Sequence, residues 1–291
     1  MPNVAIITDS TNCIPKPLIK EYDINVLPTT LTINGKLYLD EIDISPDEFW
    51  EMMPSFDRMP SGSGVRPGEF IDCFTRLAPV TDKFVCIVMS KGIGVSYSSA
   101  QQAKEMIHST HPGLTVEVID SRASSGGLGF IVLEAARAAK AGKSLAEVLT
   151  VVQNMIPRVK HFTGVHSLKF LHQYGRMPAS IAPAGIASDN SPLNIKTIIS
   201  VSRETGQVEF IGKYRGMQNA NQGMIDKAKE YLKPDREAHF MVHYSHDIHE
   251  TDALRKLIQA NFKCKELYIS QFTAGMLAST GPQFGMAFYS D

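Results

Sequence analysis

Residues 84–107, FVCIVMSKGIGVSYSSAQQAKEMI, decide which fold this chain adopts. The apolar run 84–89 is short and rich in β-branched residues, which predicts a strand buried on both faces. After the glycines and serines of 90–96, apolar residues recur at helical spacing over 97–107. The stretch therefore predicts a strand that leads through a tight turn into a helix, as in an open parallel sheet.

The turn between this strand and this helix is a candidate binding site, because ligands of open parallel sheets bind beyond the carboxyl ends of the strands. Gly92 and Gly94 allow a ligand to approach the backbone, and Ser96 adds a hydroxyl. The helix N-terminus offers backbone N–H groups to an anion. An ordinary strand-to-helix connection uses the same residue types, so the stretch alone leaves both interpretations open.

Two further strands fit the same sheet. Residues 3–8 form an apolar run followed by Asp9, a residue type that caps the next helix. Residues 115–119 form another, followed by a glycine-rich turn over 124–129 and a helix to about residue 141. Consecutive strand–turn–helix units predict a right-handed parallel sheet.

Shorter elements connect these units. Residues 24–33 are strand-like, and Asn34-Gly35 predicts a hairpin turn into 36–39. Ser45 caps a predicted helix over 45–53, and residues 59–69 form a loop by composition. From residue 157 the segments become shorter and mixed, with strands at 159–165, 194–201 and 207–214, and a final turn over 280–285. We therefore expect a domain boundary near residue 156.

Composition excludes several classes of protein. The 291 residues are 43% hydrophobic and carry a net charge of −1, which gives neither a basic nucleic-acid surface nor attraction to a membrane. No apolar run approaches a spanning helix, and the N-terminus shows no signal-peptide pattern. The four cysteines have no zinc-binding spacing. We expect a cytoplasmic protein with free thiols, without stable membrane insertion.

Motifs for catalysis and metal binding are weak. His243, His246 and His249 recur every three residues, but they span a predicted strand end, which favours a solvated turn over a metal site. Ser96 lacks the second glycine of the GxSxG nucleophile motif. There is no GxxxxGK(S/T) phosphate loop, and the glycines of 126–129 lack GxGxxG spacing. Turns of glycines and hydroxyl residues favour binding of an anionic group over catalysis.

The chain resembles the DegV family of bacterial lipid-binding proteins, which have the EDD fold. The matching segments are IITDST (6–11), LYLDEIDIS (37–45), PGEF (67–70), SYSSA (96–100), VIDSR (118–122), LNIK (193–196), GKYRG (212–216) and TGP (280–282). The resemblance implies two α/β domains: a Rossmann-like α/β/α domain with a parallel sheet over 1–156, and a smaller two-layer domain with a mixed sheet over 157–291. The 59–69 loop would reach the second domain.

The resemblance also implies a ligand and a partner. Family members hold a long-chain fatty acid in the cleft between the domains, with no cofactor, and present it to a fatty acid kinase without catalysing the phosphoryl transfer. The implied lipid-binding residues, taken from the family's motif positions, are Gly62, Ser63, Gly94, Val95, Ser96, Ser279 and Thr280. Arg176 and Arg215 match family arginines and are candidates for the head group or the partner.

This chain departs from the family pattern at several positions. Gly62 stands where a threonine is usual, and Ser279 where a histidine is frequent. Gly94-Val95-Ser96 stands where a Ser-Gly-Thr turn is usual, so the serine is missing while Ser96 keeps a hydroxyl in place of threonine. Two alternatives to lipid carriage therefore stay open. One is a hydrolase or transferase acting on an acyl or anionic small molecule, with Ser96 or Ser63 as nucleophile. The other is a regulatory protein with a vestigial lipid cleft.

Overall fold

The computed structural model describes residues 4–56, 60–177 and 194–291. Asn3 in the first predicted strand, Met59 in the predicted loop and Leu193 in the LNIK motif lie outside these ranges. The strands are β1 (Ala5–Asp9), β2 (Asn25–Leu27), β3 (Thr30–Ile33), β4 (Lys36–Leu39), β5 (Ser61–Ser63), β6 (Lys83–Val88), β7 (Thr115–Asp120), β8 (Lys160–Val165), β9 (Ile195–Val201), β10 (Val208–Arg215), β11 (Glu237–Tyr244), β12 (Lys263–Gln271) and β13 (Gln283–Ser290). The helices are α1 (Lys16–Glu21), α2 (Pro46–Met52), α3 (Pro67–Leu77), α4 (Ser96–Thr110), α5 (Ser125–Lys140), α6 (Leu145–Arg158), α7 (Lys169–Gln173), α8 (Gly216–Lys229), α9 (Asp252–Asn261) and α10 (Ala274–Thr280).

The first sheet is parallel throughout, with strand order β2-β1-β6-β7. Alternate residues of β6 face opposite sides, so Phe84 and Cys86 pack towards α3 and α4, while Val85 and Ile87 pack towards α5 and α6. Burial on both faces explains the continuous apolar runs of β1 and β6. The predicted parallel sheet between layers of helices is confirmed.

The second sheet is mixed and has the order β10-β9-β8-β13-β11-β12, in which β11 and β12 alone pair in parallel. One face packs against α8 and α9. The other face meets α5, where Met241, Ala287 and Tyr289 join the core that α5 forms with the parallel sheet. Helix α5 therefore lies between the two sheets. The division of the chain near residue 156 stays a prediction, and α6 runs across that position.

A third, small antiparallel sheet of order β4-β3-β5 corrects two expectations. Residues 24–33 form two strands in different sheets, because Pro28 lies between them and has no N–H for a ladder. The loop over 59–69 contains β5, which pairs with β3. The Asn34-Gly35 hairpin turn is confirmed, with positive φ at both residues as a tight turn between antiparallel strands requires.

The glycine-rich stretch 124–129 is not a turn before a helix, since α5 already begins at Ser125. A Cβ atom at Gly126 would lie 2.2 Å from Nε2 of His243, and one at Gly127 would lie 2.8 Å from Nδ1 of His161. These glycines let the helix approach the buried histidines of the mixed sheet.

Helix α10 was not predicted from the sequence. The hydroxyl of Thr273 caps it by accepting the N–H of Met276, and Gly281 ends it with a φ of 72°. The predicted turn over 280–285 is correspondingly shorter, because Thr280 is helical and β13 begins at Gln283.

Candidate functional site

A cavity of about 470 Å³ lies where the three sheets meet, a volume typical of small-molecule sites. The loop after β6 and strand β5 form part of its wall, and the mixed sheet, α7 and α10 form the rest. Apolar side chains from β3, the loop after β6, the mixed sheet, α7 and α10 line it, including Leu31, Met89, Ile93, Leu171, Ile199 and Met276.

Most of the predicted site residues lie in this wall, although they come from four separate stretches of sequence. Those that line the cavity are Gly62, Ser63, Gly94, Val95, Arg176, Ser279 and Thr280. Ser96 and Arg215 do not line it. A role in ligand binding stays a prediction for all of these residues, whether or not they line the cavity.

Ser96 is fully buried behind the cavity wall. Its hydroxyl oxygen accepts the backbone N–H of Val65 at 3.2 Å, which ties the start of α4 to the segment after β5. Gly64 makes this approach possible, since a Cβ there would lie 2.7 Å from both N and Oγ of Ser96. Ser96 therefore positions two walls of the cavity.

The N-terminus of α4 borders the cavity and is a candidate site for an anion. Val95 precedes the helix, and its side chain forms no capping hydrogen bond with the first N–H groups. The first turn of a helix has no intrahelical acceptors for these groups, and the helix dipole adds positive potential there. The preceding turn is held in place by Asp9, whose carboxylate accepts the N–H of Met89 at 3.0 Å.

Ser279 and Thr280 present acceptors to the cavity. Both hydroxyls donate to the carbonyl of Met276, at 3.0 Å and 2.6 Å. A hydroxyl that donates to the backbone keeps only its lone pairs for a ligand. In this arrangement these two residues cannot donate to a carboxylate, so the donors must come from elsewhere in the wall.

Arg176 supplies one such donor group. Its guanidinium lies 5.2 Å from the centre of the Tyr174 ring, and within residues 4–56, 60–177 and 194–291 it forms no ion pair with a carboxylate. Partial burial lowers the pKa of this guanidinium. The Tyr174 hydroxyl donates to the carbonyl of Pro60 at 2.6 Å, which fixes the end of α7 against the segment before β5.

Sequence reasoning missed the polar groups that the mixed sheet contributes. His161, Thr163 and Gln283 line the cavity and are almost fully buried. His161 shares a hydrogen bond of 3.2 Å with Ser124, and burial, with the nearby charge of Arg203, lowers the pKa of its imidazole to about 3. Gln283 directly follows the predicted TGP motif, but nothing in its spacing indicates that its side chain faces a cavity.

The three histidines at 243, 246 and 249 do not share a site. His243 is buried in β11 and bonded to Ser270 at 2.9 Å, so the expectation of a solvated turn is wrong for this residue. His246 stacks on Trp50, and His249 is exposed. Across the three described ranges, no group of three or more His, Cys, Asp or Glu side chains is arranged to hold a metal.

A second cavity, of about 520 Å³, is lined by the prolines around α1, by Asp40 and by the end of β12. It contains none of the predicted site residues. Burial raises the pKa of Asp40 to about 6, and its carboxylate accepts hydrogen bonds from Ser10 and from the N–H of Gly275. Asp40 thereby fixes the start of α10.

Comparison of the sequence with models of protein families shows to which family this chain belongs. The sequence model of a family described as "Uncharacterised protein, DegV family" matches residues 3–291. The chain belongs to the DegV family. This DegV family member is 35% identical over 229 residues to a DegV domain-containing protein of Caldanaerobacter subterraneus, covering 79% of this chain and 78% of the relative. It is 32% identical to one of Clostridium acetobutylicum, covering 85% of each chain.

Solved structures of DegV proteins have the same fold. A fatty-acid-binding DegV family protein of Thermus thermophilus has a TM-score of 0.88 at 24% identity, with full coverage of both chains. A stearic acid-binding protein of Eubacterium ventriosum has a TM-score of 0.87 at 21% identity, covering 100% of this chain and 98% of that one. These likenesses show that this DegV family member shares the two-domain α/β fold of those structures. Among the helices of its described residues, none combines the length and hydropathy that crossing a membrane requires.

Proposed function

We propose that this chain binds a long-chain fatty acid in the cavity between its sheets and does not transform it. The observation that carries the proposal is a cavity that borders the N-terminus of α4 and whose wall combines apolar side chains with Arg176, which forms no ion pair among the described residues. An acyl chain matches the apolar walls, and a carboxylate matches the N–H groups and the guanidinium. The structurally similar fatty-acid-binding protein of Thermus thermophilus and stearic acid-binding protein of Eubacterium ventriosum support the same class of ligand.

The acyl chain supplies most of the affinity in this proposal. Burial of sixteen carbons contributes on the order of 12 kcal/mol before the costs of association are subtracted. One neutral hydrogen bond contributes about 1 kcal/mol. Loss of the hydroxyls that the family's usual threonine and serine would supply at Gly62 and Gly94 therefore does not abolish binding.

Binding is favoured over hydrolysis by the surroundings of the serines. Ser96 is buried, and Ser63 forms no hydrogen bond with a histidine of the described chain. Ser124 does contact His161, but Nδ1 of that imidazole has no partner among residues 4–56, 60–177 and 194–291. A general base needs an orienting group and a pKa near the working pH, whereas the pKa of His161 is lowered to about 3.

We further propose that this chain acts in the cytoplasm and presents the bound fatty acid to a kinase subunit. The chain itself would need no cofactor to bind the lipid. Arg215 is exposed at the end of β10, outside the cavity, and is accessible to a partner. Arginine is enriched at protein interfaces. Substitution of Arg215 by alanine should reduce phosphorylation of the carried lipid while its binding is unchanged, and unaltered phosphorylation would contradict a partner role for this residue.

Mass spectrometry of ligand extracted from the purified protein is the direct test of the carrier proposal. We expect one fatty acid per chain, and delipidated protein should take up the same fatty acid in a calorimetric titration. Protein that purifies empty and binds no acyl chain in the titration would contradict the proposal. Labelling of Ser63 or Ser124 by a serine-reactive probe would instead favour the hydrolase alternative.

A further inference from the structure

Gln283 is a buried polar side chain whose amide forms no hydrogen bond within the described part of the chain. It begins β13, has 0% exposure and lines the cavity. Its backbone is well bonded: its N–H donates to the hydroxyl of Ser245 at 2.8 Å, and its carbonyl accepts from that same hydroxyl at 2.6 Å. Within the described ranges neither Nε2 nor Oε1 of its amide has a partner.

Burial of such a side chain lowers the stability of the folded protein unless its amide is bound by a ligand. A buried amide without hydrogen bonds loses its hydration and gains nothing in return, whereas an apolar side chain of the same size would fill the space. The strand pairing fixes the direction of the side chain, because Gln283 lies opposite Val165 and alternation places it on the same face as Thr163 and His161. Its amide therefore faces the same cavity as theirs.

The free groups of this wall define the complementary ligand group. Gln283 offers two N–H donors and a carbonyl acceptor, so its partner must both accept and donate. Ser279 and Thr280 in the same wall offer lone pairs, since both donate to Met276. A carboxylate only accepts and cannot satisfy these acceptors, but a hydroxyl both accepts and donates.

We propose that the preferred ligand of this cavity is a hydroxylated fatty acid, whose hydroxyl is bound by the Gln283 amide. The inference rests on the proposed function, because it specifies the acyl chain that the cavity takes. The carboxylate lies at the N-terminus of α4 and Arg176. The hydroxyl lies against the wall formed by β13 and α10.

Competition between matched lipids tests this inference. Delipidated protein is titrated calorimetrically with stearate and with 2-, 3- and 12-hydroxystearate. At least one hydroxystearate should bind about fivefold more tightly than stearate, which corresponds to about 1 kcal/mol. The position of the favoured hydroxyl then locates Gln283 along the chain.

Variants assign the preference to this side chain. Gln283→Met keeps the length of the side chain and removes its polar groups, so it should bind stearate at least as well as the wild type but show no hydroxyl preference. Gln222→Met, at an exposed position of α8, is the control and should keep the preference. If Gln283→Met does not fold, Gln283→Asn provides the same readout, because it withdraws the amide from the ligand.

The outcomes separate this inference from the proposed function. Equal affinity for stearate and every hydroxystearate, or a preference that persists in Gln283→Met, would overturn the inference and leave fatty acid binding intact. Protein that binds no acyl chain would overturn both.

Discussion

Arg176 and Arg215 are two arginines with different surroundings, and this difference predicts different effects on binding. Arg176 lines the cavity beside Tyr174, whereas Arg215 is exposed and outside it. Arg176→Ala should weaken fatty acid binding about tenfold, because a hydrogen bond to a charged group contributes about 1.5 kcal/mol. Arg215→Ala is the matched control and should bind as the wild type. Equal affinities of the two variants in a titration would contradict a head-group role for Arg176.

Gly62 and Gly94 differ in the room that a side chain would find. A Cβ at Gly62 would lie 3.8 Å from Cδ2 of Leu31, an ordinary contact, whereas one at Gly94 would lie 2.2 Å from Cε of Met89. Gly62→Ser should therefore add a donor to the wall and tighten binding about fivefold, or about 1 kcal/mol. Gly94→Ser should displace Met89 into the cavity and weaken binding. Calorimetric titration of both variants with one fatty acid checks the pair, and tighter binding by Gly94→Ser alone would refute the reasoning.

The cavity shows which site residues a sequence can reveal. The family's motif positions predicted Ser63, Ser279 and Thr280, and all three line the cavity. Those positions could not show that Ser96 lies behind the wall, since adjacent residues at the start of α4 differ: Val95 lines the cavity and Ser96 is buried. Gln283 was missed for a related reason: its direction depends on the register between β13 and β8.

Helix α5 packs against both sheets, and its glycines make this possible. Gly→Ala within a helix is normally favourable by about 1 kcal/mol. Gly126→Ala should instead destabilise the protein by about 1–3 kcal/mol, because the new methyl group would lie 2.2 Å from His243 and 2.9 Å from Ala287. Urea denaturation measures the change.

Gly68→Ala is the control for this substitution. Gly68 is in the first turn of α3, and a Cβ there has no atom within 4 Å. This variant should be at least as stable as the wild type. A stable Gly126→Ala protein would show that α5 and the mixed sheet separate more easily than their packing indicates.

Local sequence predicted the elements that local interactions determine. The hairpin at Asn34-Gly35 and the capped helix after Ser45 form from residues close in the chain, and both are confirmed. The strand β5 and the glycine-rich start of α5 depend on partners that are distant in sequence. Helix α10 is only seven residues long, too short for helical periodicity to indicate it.

Two neutral histidines make the stability of the whole protein depend on pH. Burial lowers the pKa of His243 to about 3, and that of His161 to about 3 as well. The unfolded chain binds these protons at a pKa of about 6.5, so stability is lost as pH falls from about 6.5 towards 3, by about 1.4 kcal/mol per pH unit for each histidine. His243→Gln should show a slope smaller by one proton between pH 6 and pH 4 in urea denaturation.

The control for this slope is His249→Gln, because His249 is exposed. Asp40 acts in the opposite direction: its pKa is raised to about 6, so its contribution is present below pH 4 and is lost as pH rises through 6. Comparison of each variant with the wild type removes this common effect. An unchanged slope in His243→Gln would mean that His243 is already protonated in the folded protein.

The wall of the cavity begins at Thr11 and ends at Gln283, so almost the whole chain must be folded for it to exist. A ligand that binds only the folded chain raises its stability, by about 2.7 kcal/mol at a free concentration one hundred times the dissociation constant. Loaded and empty copies of the protein should therefore melt at separate temperatures. Heating a cell extract would then unfold the empty copies before the loaded ones. The fraction that stays folded between the two melting temperatures would report how much of the protein carries lipid in the living cell.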